Sequence, residues 1–313
     1  MKHLVFGLLI TATTFSLAQD ADSTVRKKDP VEPHWVLKSI CGTNGTQASF
    51  VNWNAGGRNN ISLLGYISAT GNYVHESYNW DNNLDIALGG VQYIGKDSDG
   101  TGLQKTDDRI EVSSKFGYKI KKNKKLYTSV IGGFKTQFLD GFQHPNDSVR
   151  VSTFMAPGYL SIALGMDYKP SKHFSVFLSP AASKTTFVRD QALANDGAFG
   201  VTPGEQFRHE IGAYFKMMYN NEIAKNIRMI TRLDLFSNYL ENPENIDVNL
   251  DVLFNFKVNS WFSASANFTL LYDHDILITD SNGNTGPRTQ FKSVLGMGVS
   301  YTMKNFEDKK EAK

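Results

Sequence analysis

The residues best placed to do chemistry are charged side chains recurring at every second position along runs of alternating polarity. They are Asp85, Arg109, Glu111, Lys115, Lys135, Asp167, Arg208, Glu210, Lys216, Arg228, Arg232, Asp234, Asp247, Asp251, Lys257 and Lys292. Both signs are interleaved. On one face of a closed sheet, such groups either pair across the enclosed space and plug it, or line a narrow wet passage. Hydrolytic chemistry is poorly provided for. A lipid-acting enzyme needs a Ser and a His on the lipid side. His209 is the one histidine on an apparently outward position, and no Ser stands near it in sequence. His75, His144, His173 and His274 fall in turns and loops without metal-ligand spacing, so neither metal nor cofactor is expected. Asp280 to Gly286 sets oxygen ligands at alternate positions but lacks the Glu that completes a calcium loop. Turn chemistry accounts for it.

What must position these charges is a set of strands with two unlike faces. From Arg109 to Ile120, Ile110, Val112, Phe116, Tyr118 and Ile120 fall on one parity, and Arg109, Glu111, Ser113, Lys115 and Lys119 on the other. Side chains on a strand alternate between faces, so one face is apolar and the other charged. Five such segments close on a tyrosine of the apolar parity: Tyr73, Tyr118, Tyr168, Tyr219 and Tyr301. An aromatic girdle belongs where hydrocarbon meets headgroups, which predicts that these tyrosines mark the periplasmic rim of a membrane-spanning barrel.

The alternation predicts twelve strands. They begin at Trp35, Ile61, Trp80, Arg109, Leu126, Gly158, Phe174, Phe207, Ile227, Ile246, Phe262 and Phe291, with bends expected at Gly89-Gly90 and Pro180. Connections alternate between short ones, such as His75 to Ser77, and long ones, such as Asp140 to Ala156 and Arg189 to Gln206. Short periplasmic turns, long outer loops and an even strand count place both termini in the periplasm. The fold class is therefore an all-β, antiparallel, up-and-down transmembrane barrel in the outer membrane of a Gram-negative bacterium. Residues 1–18 read as a signal peptide, with a basic start, an apolar run and Ser16-Leu17-Ala18 at the cleavage site. Residues 19–34 read as a flexible periplasmic lead-in, 35–306 as the barrel and 307–313 as a polar tail.

Composition agrees. The 313 residues carry a formal charge of +2, 12% aromatics, 26 glycines and one cysteine, with mean hydropathy −0.33. A near-balanced charge gives no reason to expect nucleic acid. A single cysteine excludes an internal disulfide framework.

The closing segment from Phe291 to Phe306 resembles the C-terminal signal read by barrel-assembly machinery, though a polar tail follows it here. Further stretches are Asn52-Trp53-Asn54-Ala55-Gly56-Gly57, Trp80-Asp81-Asn82, Lys105-Thr106-Asp107-Asp108, Phe134 to Phe138, Gly165 to Pro170, Gly197 to Val201, Leu235 to Tyr239, Asn242 to Val248 and Gly286-Pro287-Arg288. Together they are similar to an uncharacterised family of Bacteroidota cell-envelope proteins, a domain of unknown function (DUF3078). The resemblance covers nearly all of the mature chain. It implies an outer-membrane barrel and carries no known activity, so no catalytic residue is transferred.

Two functional classes follow from the residues. The first is a narrow passive channel for small polar solutes. The second is a structural or complex-forming barrel with a plugged lumen. Expected partners are outer-membrane lipid and lipopolysaccharide, and the assembly machinery during biogenesis. The loop carrying Trp53, Gly56, Gly57 and Arg58 is expected at the outer mouth. There it either anchors and closes a hairpin, or forms a lip for a sugar or an anionic headgroup.

Overall fold

The computed structural model describes residues 34–49, 59–94, 102–120, 123, 125–143, 146–279 and 284–305. The expected signal peptide and C-terminal tail, and the mouth-loop residues Trp53, Gly56, Gly57 and Arg58, lie outside the described residues. So does the expected lead-in, apart from His34, which opens the first strand.

Sixteen strands are formed in chain order: β1 (His34–Ala48), β2 (Asn60–Val74), β3 (Tyr78–Tyr93), β4 (Gln104–Lys119), β5 (Leu126–Thr136), β6 (Gly141–Gln143), β7 (Asn146–Ser152), β8 (Gly158–Ser171), β9 (Phe174–Phe187), β10 (Phe207–Ala224), β11 (Ile227–Asn238), β12 (Ile246–Lys257), β13 (Phe262–Tyr272), β14 (Leu277–Thr279), β15 (Thr285–Pro287) and β16 (Gln290–Lys304). Twelve of them close into one antiparallel ring in the order β1-β16-β13-β12-β11-β10-β9-β8-β5-β4-β3-β2. β1 meets β16 through eight register pairs, Lys38 with Lys304 to Gly45 with Met297. Closure leaves the ring without a free edge, so the ladder satisfies the backbone from within, as hydrocarbon demands.

The outer surface is apolar. Leu63 is 61% exposed, Leu295 62% and Phe291 67%, whereas Phe177 inside the barrel is 1% exposed. A contiguous surface of this kind is unfavourable in water and matched by acyl chains. The barrel therefore spans a membrane. Trp35, Tyr73 and Trp80 pack side by side on β1, β2 and β3, with centroids 5.3 Å and 5.7 Å from the Trp35 ring. Tyr78 continues the group to Phe116 on β4 at 5.6 Å. This aromatic group lies at the end of the barrel that carries the short turns. Tyr118, Tyr168 and Tyr301 are exposed near the ends of their strands. Tyr219 sits deeper, because β10 continues to Ala224 past the expected end of its strand. There Asn220, Asn221 and Glu222 still pair with Ile230, Met229 and Arg228. Their polarity suggests a turn, but a hairpin ladder extends into water at no desolvation cost.

Both expected bends are present. The register shifts between Gly89 and Gly90 against β4. It shifts again around Pro180, where β9 faces β8 and β10. Proline brings no N–H to the ladder. The Ser179 hydroxyl stands in beside it, 2.7 Å from the Leu164 carbonyl and 3.2 Å from the Ala181 amide. Opposite the bulge, a Cβ on Gly165 would fall onto the Leu178 carbonyl, so only glycine permits the approach.

Three of the long connections contain regular structure. β6 and β7 form a hairpin, as do β14 and β15. The segment between β9 and β10 holds a short helix α1 (Gln191–Asn195), capped by the Asp190 carboxylate on the Leu193 amide. Ala156, Val188, Leu193, Ala194 and Val201 form a small buried core there. Local pattern does not show this core, because its members come from two different loops.

Candidate lumen constriction and cavity

Inside the ring, charge pairs run from wall to wall. Arg232 on β11 reaches Asp85 on β3, Nη1 to Oδ2 3.4 Å. In the ring order five strands separate β11 from β3 in either direction, so these strands are antipodal. Arg109 on β4 and Asp251 on β12 stand 3.9 Å apart, and their strands are antipodal as well. The carboxylates are also held from their own walls. Asp85 accepts from the Ser68 hydroxyl at 2.6 Å, and Asp251 from the Thr269 hydroxyl at 2.7 Å. Anchored acids and long flexible guanidinium arms make a crossbar over the lumen. The Nε–H of each arginine is buried without an acceptor among the described residues.

Toward the short turns, Lys115 donates to Asp167 at 2.6 Å, and Lys169 to Asp81 at 2.8 Å. Toward the long loops, Lys184 lies among three carboxylates: Asp247 at 2.8 Å, Glu210 at 3.5 Å and Asp273 at 3.6 Å. Arg208 binds Glu210 at 3.1 Å and also pairs with Asp275. Lys216 meets Asp234 at 3.1 Å, and the Tyr214 hydroxyl donates to the same carboxylate. Lys292 contacts Asp107 at 3.5 Å. Arg228 and Lys257 lie at the short-turn rim and are exposed; Arg228 donates to Asn220 at 2.9 Å. Among the described residues, Lys135 and Glu111 form no ion pair. They are register partners on β5 and β4.

Apolar residues share this interior. Ile131, Ala163, Phe177, Ala182 and Phe236 pack together with Tyr214 against them. Beside them opens a cavity of about 280 Å³, lined among others by Glu111, Lys135, Lys184, Lys216, Tyr214 and Phe236. The Lys184 ammonium lies 5.2 Å from the centre of the Phe236 ring.

Several interior residues escape a reading of the sequence. Asp81 shares the parity of Asp85 and was open to detection. Lys169 shares that of Asp167, but the following Pro170 suggests a turn. The parity of Lys184 is hidden by the bulge at Pro180. Asp273 and Asp275 come from a loop and join only through tertiary structure. His209 is exposed and sits 2.9 Å from the Thr185 hydroxyl through Nδ1. Among the described residues no group of three His, Cys, Asp or Glu side chains is placed to hold a metal ion.

Residues 46–142 match the family model described as a protein of unknown function, DUF3078. The DUF3078 stretch runs from the end of β1 into β6, and so contributes Asp85 and Arg109, one member of each antipodal pair. The similar stretches from Gly165 onward lie beyond it. No curated protein matches the sequence. Solved structures similar in form include the COG4313 outer membrane channel from Pseudomonas putida F1, at 10% identity and TM-score 0.39, over 90% of this chain and 100% of that one. The translocator domain of the autotransporter NalP from Neisseria meningitidis has 7% identity and TM-score 0.33, over 85% and 87%. The outer membrane channel DcaP of Acinetobacter baumannii has 6% identity and TM-score 0.31, over 89% and 99%.

Proposed function

We propose that this protein is a narrow passive channel for small polar solutes in the outer membrane of a Gram-negative bacterium, non-enzymatic, with its short turns and both termini in the periplasm. The observation that carries the reading is the pair of antipodal contacts, Arg232 to Asp85 and Arg109 to Asp251. Buried ion pairs are a costly way to fill a core, since well-packed apolar residues of similar volume often stabilise more. Partly accessible charges strung along a barrel axis suit a wet path instead.

The crossbar also has an alternative arrangement. Arg232 is the register partner of Asp251 on its neighbouring strand. Arg109 pairs in register with Ala87, two residues from Asp85 on the same inward face. If each arginine turns to the acid on its own wall, the number of ion pairs is conserved and the lumen is no longer bridged. Two states with equal pairing lie close in energy, which suits a constriction that opens and closes.

Planar-bilayer recording of the purified protein tests this. The channel reading expects discrete small conductance steps that grow with salt concentration. Silence at all voltages and salts, with a partner protein co-purifying, favours a barrel that works through its loops. The packed core between the 156 and 188–201 segments is the feature that would serve that second role.

A further inference from the structure

We propose that the cavity beside the crossbar is a binding site for a small zwitterion with an apolar body, the chemical class of amino acids with aromatic or branched side chains. Its volume of about 280 Å³ falls just under the range of ligand pockets, roughly 300 to 1,000 Å³, and so suits a small solute. One wall is apolar: Ile131, Ala163 and Phe236, with the ring of Tyr214. Lys135, further along the same strand as Ile131, and Glu111 beside it make the charged end.

Charge accounting selects the ligand. Lys216 is occupied by Asp234, and Lys184 by Asp247, Glu210 and Asp273. Lys135 and Glu111 are the cavity's remaining cation and anion, and among the described residues neither has an ion-pair partner. They stand opposite each other on β5 and β4. An ammonium and a carboxylate carried on adjacent strands match a ligand whose own carboxylate and ammonium are held one carbon apart. Gly133 lies between Lys135 and Ile131 on the inward face of β5 and also lines the cavity. Without a side chain there, the ligand's apolar part has room to pass from the charged end to the apolar wall. A Cβ at Gly133 would come within 2.9 Å of the Ser161 hydroxyl.

The inference rests on the interior being open to solutes, as the channel reading holds, but it is measured without conductance. Calorimetric titration of the folded barrel in detergent uses L-phenylalanine as the probe, with phenylacetate lacking the ammonium and phenethylamine lacking the carboxylate. Phenylalanine is expected to bind, and each truncated probe to bind at least about tenfold more weakly. Lys135→Gln and Glu111→Gln are expected to weaken phenylalanine by a similar factor. Gly133→Ala is expected to weaken it without touching either charge. Circular dichroism confirms that each variant keeps its strands. Absence of binding to the folded wild-type barrel overturns the site, whatever the bilayer recordings show. Equal affinity for phenylacetate overturns the zwitterion assignment. Unchanged binding in both charge variants overturns the assignment to this cavity.

Discussion

The guanidinium of Arg232 and the carboxylate of Asp85 meet at 3.4 Å from strands on opposite sides of the barrel. No neighbour-strand argument produces such a contact, because in-register pairs lie on adjacent strands. It requires side chains long enough to cross the lumen, and Arg109 with Asp251 repeats it nearby. The interaction should be measurable as coupling. A double-mutant cycle of Arg232→Ala and Asp85→Ala, read by urea unfolding in lipid vesicles, is expected to give on the order of 1 kcal/mol. Additive single effects would mean that the pair does not persist in a bilayer.

The faces of β12 differ in their tolerance of charge. Leu250 lies on the lipid side, and Asp251, one residue on, contacts Arg109 and Thr269 inside. Leu250→Arg is expected to cost about 2–4 kcal/mol and to impair assembly. Asp251→Asn keeps the size of the side chain and its oxygen, and should leave assembly nearly intact. Heat-dependent gel mobility of the outer-membrane fraction separates the two. Equal effects would mean that the faces are exchanged.

Trp80 tests the aromatic group at the short-turn end. Its ring packs on Trp35 at 5.7 Å, and its Nε1–H donates to Ser114 at 2.8 Å. Trp80→Ala should lower heat stability by about 0.5–1.5 kcal/mol for the lost ring pair, beyond the lost area. Trp80→Phe should recover much of it. No change in either variant would remove this group from the account of stability.

The β6–β7 hairpin predicts a pH dependence outside the membrane. A hydrogen bond from Thr153 and the nearby Arg150 guanidinium hold the Asp140 carboxyl below its usual value. A depressed folded pKa stabilises at pH above the unfolded value, and that contribution is lost as pH falls through the folded one. Amide exchange protection in the hairpin, corrected for intrinsic rates, should hold from pH 7 to about 5 and fall below about 4. Asp140→Asn should show weaker protection at pH 7 and little change on acidification. A wild-type hairpin insensitive to acid would contradict the role given to Asp140.

The strands were legible because their two faces differ in nearly every pair of residues. Ile246 to Lys257 alternates so regularly that its bounds coincide with those of β12. The bends at Gly89-Gly90 and Pro180 were legible because glycine and proline change the backbone locally. The interior was harder. Phe236 follows Arg232 and Asp234 on the charged parity, and Ile131 shares that of Lys135; such intruding apolar residues are the local sign of the inner cluster. The partners of Lys184 were hidden because two come from other strands of the ring and one from a loop. Alternation reports which face a residue occupies. It does not report which residue it meets across a lumen, so the antipodal pairs required the closed ring.

Arg232 with Asp85 and Arg109 with Asp251 narrow the lumen by crossing it. The most direct measurement is single-channel conductance in planar bilayers of wild type against a variant carrying Arg232→Ala and Arg109→Ala. Both guanidinium arms are removed while every strand residue facing lipid is kept. The variant is expected to conduct several-fold more, with a shift toward cation preference as Asp85 and Asp251 lose their partners. A variant folded as a barrel yet identical to wild type in conductance and ion preference would contradict it.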